Sequence, residues 1–131
     1  MPRTADPYQE LSRRERQIMD AVYRLGRASV TEVLGELPDP PSYSAVRAMI
    51  GKLEEKGHLR HLQDGPRYLY LPTRPREEAT ENALERVLRT FFDGSPARAV
   101  AAVLDMGGEE LTREELDDIA ARIEQARRRG R

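Results

Sequence analysis

The sequence predicts a mostly α-helical chain with one small β-hairpin. Three segments open with a capping box, in which Ser or Thr is followed three residues later by Glu, and each leads into apolar residues spaced as one helical face. Between the second and third boxes, short β-type runs flank a Gly-Pro turn, which is typical of a hairpin. With 131 residues, the chain can form one domain, or a small domain followed by an oligomerisation segment.

The first two helices follow an N-terminal arm. Residues 1–10 contain two Pro and no apolar period, so we expect a flexible arm. The capping box at Ser12 begins a helix that should end near Gly26. The box at Ser29 begins a second helix of about two turns, which the Pro-rich segment 38–41 terminates.

The third helix is predicted from its N-cap Ser42 to a stop at Gly57. Its inward face carries four apolar residues at i, i+3, i+4 and i+7, namely Val46, Met49, Ile50 and Leu53. Its outer face has short side chains and two cations, with no acid before Glu54. Such a surface can approach a polyanion closely, so we interpret this segment as a recognition helix.

A hairpin should follow, with Gln63-Asp64-Gly65-Pro66 as its turn and Pro72 at the end of its second strand. Three short helices followed by a hairpin is the order of a winged helix-turn-helix, in which the third helix enters the major groove. We therefore assign residues 11–73 to a winged-helix DNA-binding domain.

Residues 74–126 are predicted to form three further helices, which begin near Glu77, at Pro96 and after Thr112. About 50 residues are too few to bury a stable core alone, so we expect a helical dimerisation domain; packing onto the first domain in a monomer is the alternative. The expected interface comprises apolar residues at helical spacing: Leu84, Val87, Leu88, Phe91, Phe92, Val100, Val103, Leu104, Leu116, Ile119 and Ile123. Residues 127–131 should form a disordered basic tail.

Composition excludes several functions. The absence of Cys rules out disulfides and thiolate chemistry, and it suits the cytoplasm, as does the lack of an apolar leader or membrane span. His58 and His61 lie three apart on a strand, so a two-histidine metal site is not expected. Paired acids such as Glu54-Glu55 are explained by solvated helix faces, and no nucleophile accompanies them. We expect neither an enzyme nor a cofactor.

Charge is unevenly distributed, although the formal net charge is only −1. Residues 1–75 hold 12 Lys+Arg against 10 Asp+Glu, and residues 76–131 hold 10 against 13. The first part is therefore the better partner for phosphates. The predicted DNA contacts are Ser42, Tyr43, Ser44, Ala45, Arg47, Ala48, Gly51, Lys52, Arg60, Arg67 and Tyr68.

Two of these cations have alternative roles. Arg47 could read guanine through its N7 and O6 atoms, or it could contact a phosphate. Arg67 near the hairpin tip could contact the flanking DNA backbone, or it could be a solvated turn residue.

Residues 9–126 resemble the penicillinase-repressor (BlaI/MecI) family of bacterial winged-helix repressors. The resemblance rests on Leu11-Ser12-Arg13-Arg14-Glu15, on Ala28-Ser29-Val30-Thr31-Glu32-Val33, on residues 43–57, on Tyr68-Leu69-Tyr70-Leu71-Pro72 and on Phe91-Phe92-Asp93-Gly94-Ser95-Pro96. It implies a homodimer that represses transcription by binding an inverted-repeat operator. Many members carry Thr at the places of Ala45 and Ala48, and a methyl group there cannot donate a hydrogen bond to a base.

The resemblance does not identify an inducing signal. Antibiotic-linked members are inactivated by a membrane sensor that leads to cleavage at an Asn-Phe pair, and no such pair occurs near Leu104-Asp105-Met106, so cleavage is not predicted. Copper-responsive members carry a Cys-rich tail that this chain lacks. A sensor protease or other inducer therefore stays unidentified. The alternatives to a repressor are a winged-helix protein-interaction module and a ligand-sensing regulator of another winged-helix family.

Overall fold

The computed structural model describes residues 6–130 and confirms a mostly α-helical fold with one hairpin. The helices are α1 (Arg13–Leu25), α2 (Val30–Glu36), α3 (Tyr43–Glu55), α4 (Arg76–Phe91), α5 (Pro96–Gly107) and α6 (Arg113–Gly130). A 3-10 turn at Gly108–Glu110 separates α5 from α6. The strands β1 (Leu59–Asp64) and β2 (Arg67–Pro72) lie between α3 and α4. No helix within residues 6–130 is long and apolar enough to span a membrane.

All three predicted capping boxes are confirmed by reciprocal hydrogen bonds. At α1, the Glu15 amide donates to Ser12 Oγ at 3.1 Å, and the Ser12 amide donates to Glu15 Oε1 at 2.9 Å. Ser29 and Glu32 repeat this arrangement at α2, and Thr112 and Glu115 repeat it at α6. An N-cap of this kind stabilises its helix by about 1 kcal/mol, which explains why these helices begin where the sequence predicted.

One apolar core joins the first three helices to the hairpin. Its fully buried side chains include Ile18, Val22, Val33, Val46, Ile50, Leu53 and Leu59. The predicted inward face of α3 is thereby confirmed, since Met49 also packs against this cluster. Burial of each large aliphatic side chain contributes about 1.5–3 kcal/mol, so α3 is fixed by its inner face while its outer face stays free.

The segment before α1 is part of this core, so the prediction of a flexible arm was wrong for residues 6–10. Tyr8 is only 5% exposed, and its hydroxyl lies 2.9 Å from the Tyr23 hydroxyl. The Tyr8 amide also donates to Asp6 Oδ1 at 2.9 Å, which fixes a local turn. A single aromatic residue shows no periodicity, so the sequence pattern did not indicate that Tyr8 would join the core. Residues 1–5 lie outside the described residues.

The hairpin is antiparallel, with Leu59 opposite Pro72 and Asp64 opposite Arg67. Gly65 has φ +61°, the positive value that a two-residue hairpin loop favours at its first position. At its base, the hairpin is attached to the loop between α1 and α2: the Ala28 amide donates to the Tyr70 carbonyl at 3.0 Å, and the Tyr70 amide donates back at 2.7 Å.

The described chain forms two compact units that divide after Ala83, inside α4. The first unit therefore also includes residues 74–83, beyond the predicted boundary at residue 73. Tyr23 explains this, because its hydroxyl donates to the Arg74 carbonyl at 3.1 Å and its carbonyl accepts from the Arg76 guanidinium. Asn82, further along α4, is also buried.

The last helix extends further than predicted. α6 runs to Gly130, so the expectation of a disordered tail was wrong for residues 127–130. Arg is a good helix former, and its cation is favoured at a helix C-terminus. Arg128 also lies one turn from Glu124, with 3.9 Å between their charged groups. Residue 131 lies outside the described residues.

Candidate nucleic-acid interface

The outer face of α3 presents most of the predicted DNA contacts. The Ala45 amide donates to Ser42 Oγ at 3.1 Å, which fixes the start of the helix. The side chains of Tyr43, Ser44 and Arg47, together with Ala48 and Lys52, are exposed, whereas Ala45 and Gly51 are half-buried. A Cβ added at Gly51 would meet no atom within 4 Å, so the protein itself does not require glycine there.

The loop before α3 is held by Arg14. Its guanidinium donates to the carbonyl of Pro38 at 2.9 Å and to that of Asp39 at 3.0 Å. Two hydrogen bonds from one planar cation restrict the loop more than a single contact would. Arg14 therefore helps to set where the recognition helix begins, a role that its place in the first turn of α1 did not suggest.

A cleft of about 630 Å³ separates the outer face of α3 from the hairpin. It is lined by residues from α2, α3 and the hairpin: Ser29, Val30, Thr31, Tyr43, Arg47, Gln63, Pro66, Arg67, Tyr68 and Tyr70. Four predicted contacts, Tyr43, Arg47, Arg67 and Tyr68, therefore meet at one cavity. Two guanidinium groups beside several hydroxyl groups form a surface that suits an anion.

The tip of the hairpin carries an ion pair. Arg67 Nε lies 3.1 Å from Asp64 Oδ2, and both side chains are about half exposed. Such surface pairs contribute about 0–1 kcal/mol, so a phosphate could compete for the guanidinium. Gln63 Nε2 donates to the Gly65 carbonyl at 2.9 Å and braces the same turn.

The structure does not bring Arg60 to the cleft. Side chains alternate between the two faces of a strand, and the register puts Arg60 opposite Leu71, on the face away from Tyr68 and Tyr70. Lys52 is exposed on α3 but does not line the cleft either. Any DNA contact by these two cations would therefore be separate from the cleft.

Several cleft residues were not predicted. Tyr70 could have been found from the two-residue period, because it shares a strand face with Tyr68. Burial raises the pKa of the Tyr70 hydroxyl, and the nearby Glu54 carboxylate adds to the shift, so this phenol stays neutral. Ser29 and Thr31 carry no such signal, since only tertiary packing brings the start of α2 to the hairpin.

His58 occupies the junction between α3 and the hairpin. It is 9% exposed, its Nδ1 atom has no hydrogen-bond partner among the described residues, and the Tyr8 ring packs edge-on against it. Burial lowers the pKa of the imidazole, and the nearby Arg74 and Lys56 charges lower it further. Within residues 6–130, no three His, Asp or Glu side chains are grouped as metal ligands would be.

The second unit presents an apolar surface. None of the described residues from 84 to 130 is buried. Of the predicted interface residues, Leu88, Phe92 and Ile119 are half-buried and the other eight are exposed, with Phe91 at 75%. Met106, which was not predicted, is 85% exposed. Many large apolar side chains exposed in one unit are typical of an association surface.

A family model described as penicillinase repressor matches residues 11–125. The penicillinase repressor of Bacillus licheniformis is 23% identical over 122 residues, which are 92% of this chain and 94% of that protein. An uncharacterised 16.5 kDa protein of Latilactobacillus sakei is 27% identical over 103 residues, which are 77% of this chain and 70% of that protein.

A solved structure of Bordetella bronchiseptica BpsR also shows similarity. That structure concerns how 6-hydroxynicotinic acid regulates DNA binding by BpsR. The two chains are 23% identical, the match covers 76% of each, and the TM-score is 0.48. That score is too low for functional inference.

Proposed function

The chain belongs to the penicillinase repressor family, and from this premise we propose that it is a DNA-binding transcriptional repressor that acts as a homodimer on an inverted-repeat operator. The observation that carries the proposal is the arrangement of α3. On its apolar side, Val46, Ile50 and Leu53 are fully buried, and its outer side presents Arg47 and Lys52 with no acid before Glu54.

In the proposed complex, α3 lies in the major groove. Arg47 projects from its outer face, where a guanidinium can donate to guanine N7 and O6 together. Ala45 and Ala48 can contact thymine methyl groups but cannot donate hydrogen bonds. The hydroxyl groups and free amides at the start of α3, from Ser42 to Ser44, are suited to one phosphate.

The hairpin acts as the wing in this proposal. Arg67 and Tyr68 line the cleft beside α3, so a DNA strand that leaves the major groove would pass between the two elements. Arg67 would then exchange its surface pair with Asp64 for a phosphate. Lys52 and Arg60 would contact the backbone outside the cleft.

Dimerisation through the second unit is supported by its exposed apolar side chains. A unit of fewer than 50 residues in which no described side chain is buried has little core of its own. A second copy would cover Phe91, Val103 and their neighbours. A two-fold symmetric dimer presents two recognition helices, which matches an operator made of two half-sites.

The proposal is tested with a duplex selected by the purified protein. We expect Arg47→Ala to lose about 1–3 kcal/mol of operator affinity and to relax the base preference at one position of each half-site. Lys52→Ala should weaken binding to all sequences alike. It should also reduce the slope of log affinity against log salt concentration by about one for each protomer.

Arg122→Ala is the matched control, because Arg122 is an exposed arginine of α6 that pairs with Asp118 one turn away. The control should leave operator affinity unchanged. If Arg47→Ala and Arg67→Ala bind DNA as well as the unmodified protein, DNA reading by this surface is refuted. Loss of a protein partner in those variants would then favour the protein-interaction module.

A further inference from the structure

We infer that Glu54 and His61 form a positioning pair that holds the wing against the recognition helix and thereby raises operator affinity without contacting DNA. The inference rests on the proposed function. Glu54 lies in the last turn of α3 and His61 is the third residue of β1, so the pair bridges the two elements that would grip the duplex.

The first link is a hydrogen bond. His61 Nδ1 lies 2.5 Å from Glu54 Oε2, and since a carboxylate can only accept, Nδ1 is the donor. Each side chain is about one-third exposed, at 35% for His61 and 33% for Glu54, so neither is as fully solvated as the Arg67–Asp64 pair. Among residues 6–130, this is the one side-chain hydrogen bond that joins α3 to the hairpin.

The second link is an aromatic stack. The His61 ring lies parallel to the Tyr68 ring, with 4.1 Å between centroids and 17° between planes. The Tyr70 ring packs at a steeper angle of 59°, with its centroid 5.8 Å from that of His61. Tyr68 is itself a predicted DNA contact of the wing, so the contacts run from α3 through His61 to a residue that the wing would present to DNA.

The distal hairpin needs such a link. Its base is fixed by the Ala28–Tyr70 hydrogen bonds and by buried Leu59, but residues 62–68 are all exposed. Ordering a loose segment on binding subtracts from affinity, and preorganisation removes that cost. The Glu54–His61 pair therefore acts as a preorganising contact for the wing.

We expect Glu54→Ala to weaken operator binding by about two- to fivefold, the range that corresponds to loss of one partly exposed hydrogen bond to a carboxylate. Glu54→Gln should restore most of the affinity, because its amide oxygen still accepts from Nδ1. His61→Phe keeps a ring to stack on Tyr68 but cannot donate, so it should resemble Glu54→Ala.

Glu55→Ala is the matched control. Glu55 is the next residue, is an exposed acid, and has the same charge. Removal of either acid near DNA should strengthen binding electrostatically, so a weakening that occurs only at position 54 identifies the positioning role. Equal effects of the two substitutions would overturn the inference.

A double-variant cycle links the pair to the wing. If Glu54 acts through Arg67, Glu54→Ala should have no further effect in the Arg67→Ala protein, because the contact that it positions is already lost. Additive losses would contradict this route.

Hydrogen exchange of the hairpin amides tests the pair without DNA. We expect residues 61–68 to exchange faster in Glu54→Ala than in Glu55→Ala, with unchanged protection in α1. Unchanged exchange at 61–68 would overturn the inference even if no operator existed, whereas failure of the unmodified protein to bind any duplex would refute only the proposed function.

Discussion

Replacement of Phe91 by Ala should dissociate the proposed dimer while it leaves each protomer folded. A Phe side chain buries roughly 150–250 Å² when fully covered, and Phe91 is 75% exposed in the protomer. A partner could therefore remove about 100–150 Å² of ring surface from water, which is worth ~3 kcal/mol at about 25 cal/mol per Å².

The methyl group of Ala retains part of that area, so we expect a loss of ~2 kcal/mol per copy. A symmetric dimer contains two copies, which gives ~4 kcal/mol and about a thousandfold weaker self-association.

Sedimentation equilibrium at several protein concentrations measures this change directly. Thr90→Ala is the matched control, because Thr90 is the preceding residue of α4, is also exposed, and lies outside the predicted apolar stripe. It should change the dimer constant by less than threefold. The reasoning is refuted if Phe91→Ala self-associates as tightly as Thr90→Ala, or if urea unfolding shows that Phe91→Ala destabilises the winged unit instead.

Three further predictions concern the winged unit. Tyr8→Phe should lower the free energy of unfolding by about 0.5–1.5 kcal/mol, because it removes a part-buried hydroxyl contact; an unchanged urea midpoint would contradict a structural role for this segment. The Ser12 amide is the main cause of a lowered Glu15 pKa, so the folded state binds fewer protons than the unfolded state. The stabilisation by Glu15 is therefore present above its ordinary pKa of 4.5 and is lost as the pH falls through the lower folded value. The difference in the free energy of unfolding between the unmodified protein and Glu15→Gln should accordingly narrow below pH 4.5. A difference that widens there would contradict the lowered Glu15 pKa. Gly51→Ala and Gly35→Ala both add a methyl group to open space in a helix, so each should stabilise the fold by up to ~1 kcal/mol; only Gly51→Ala should weaken operator binding, and equal binding would show that DNA does not approach the helix backbone there.

Features that depend on neighbouring residues in the sequence were predicted well. Each capping box lies within four residues, and the inward face of α3 follows from a period that the sequence displays. The hairpin turn at Gly65 is equally local. These signals gave the element order, and from it the winged-helix interpretation.

Features that depend on distant residues were missed. Tyr8 meets Tyr23 fifteen positions away, and no pattern in residues 6–10 announces that contact. The start of α2 reaches the cleft only through the packed core. The hydrogen bond between Glu54 and His61 likewise joins two elements. From the sequence, Glu54 was interpreted as a solvated acid and His61 only as a residue that was not expected to bind metal.

The sequence predicted individual residues of the candidate site, but it did not predict the cleft that they line. Arg47 and Arg67 share one cleft, whereas Arg60 does not line it and lies on the face of the hairpin away from Tyr68 and Tyr70. Strand alternation could have separated Arg60 from Tyr68 once the register was known. The register itself follows from the two-residue loop, so this part of the site was within reach of the sequence.

The most direct test of the account is selection of bound sequences from a random duplex pool by the purified full chain. The account predicts an inverted repeat whose half-site centres lie about one helical turn apart, bound by two protomers with an affinity that falls steeply with salt. Recovery of no motif, with weak binding even at low salt, would contradict it.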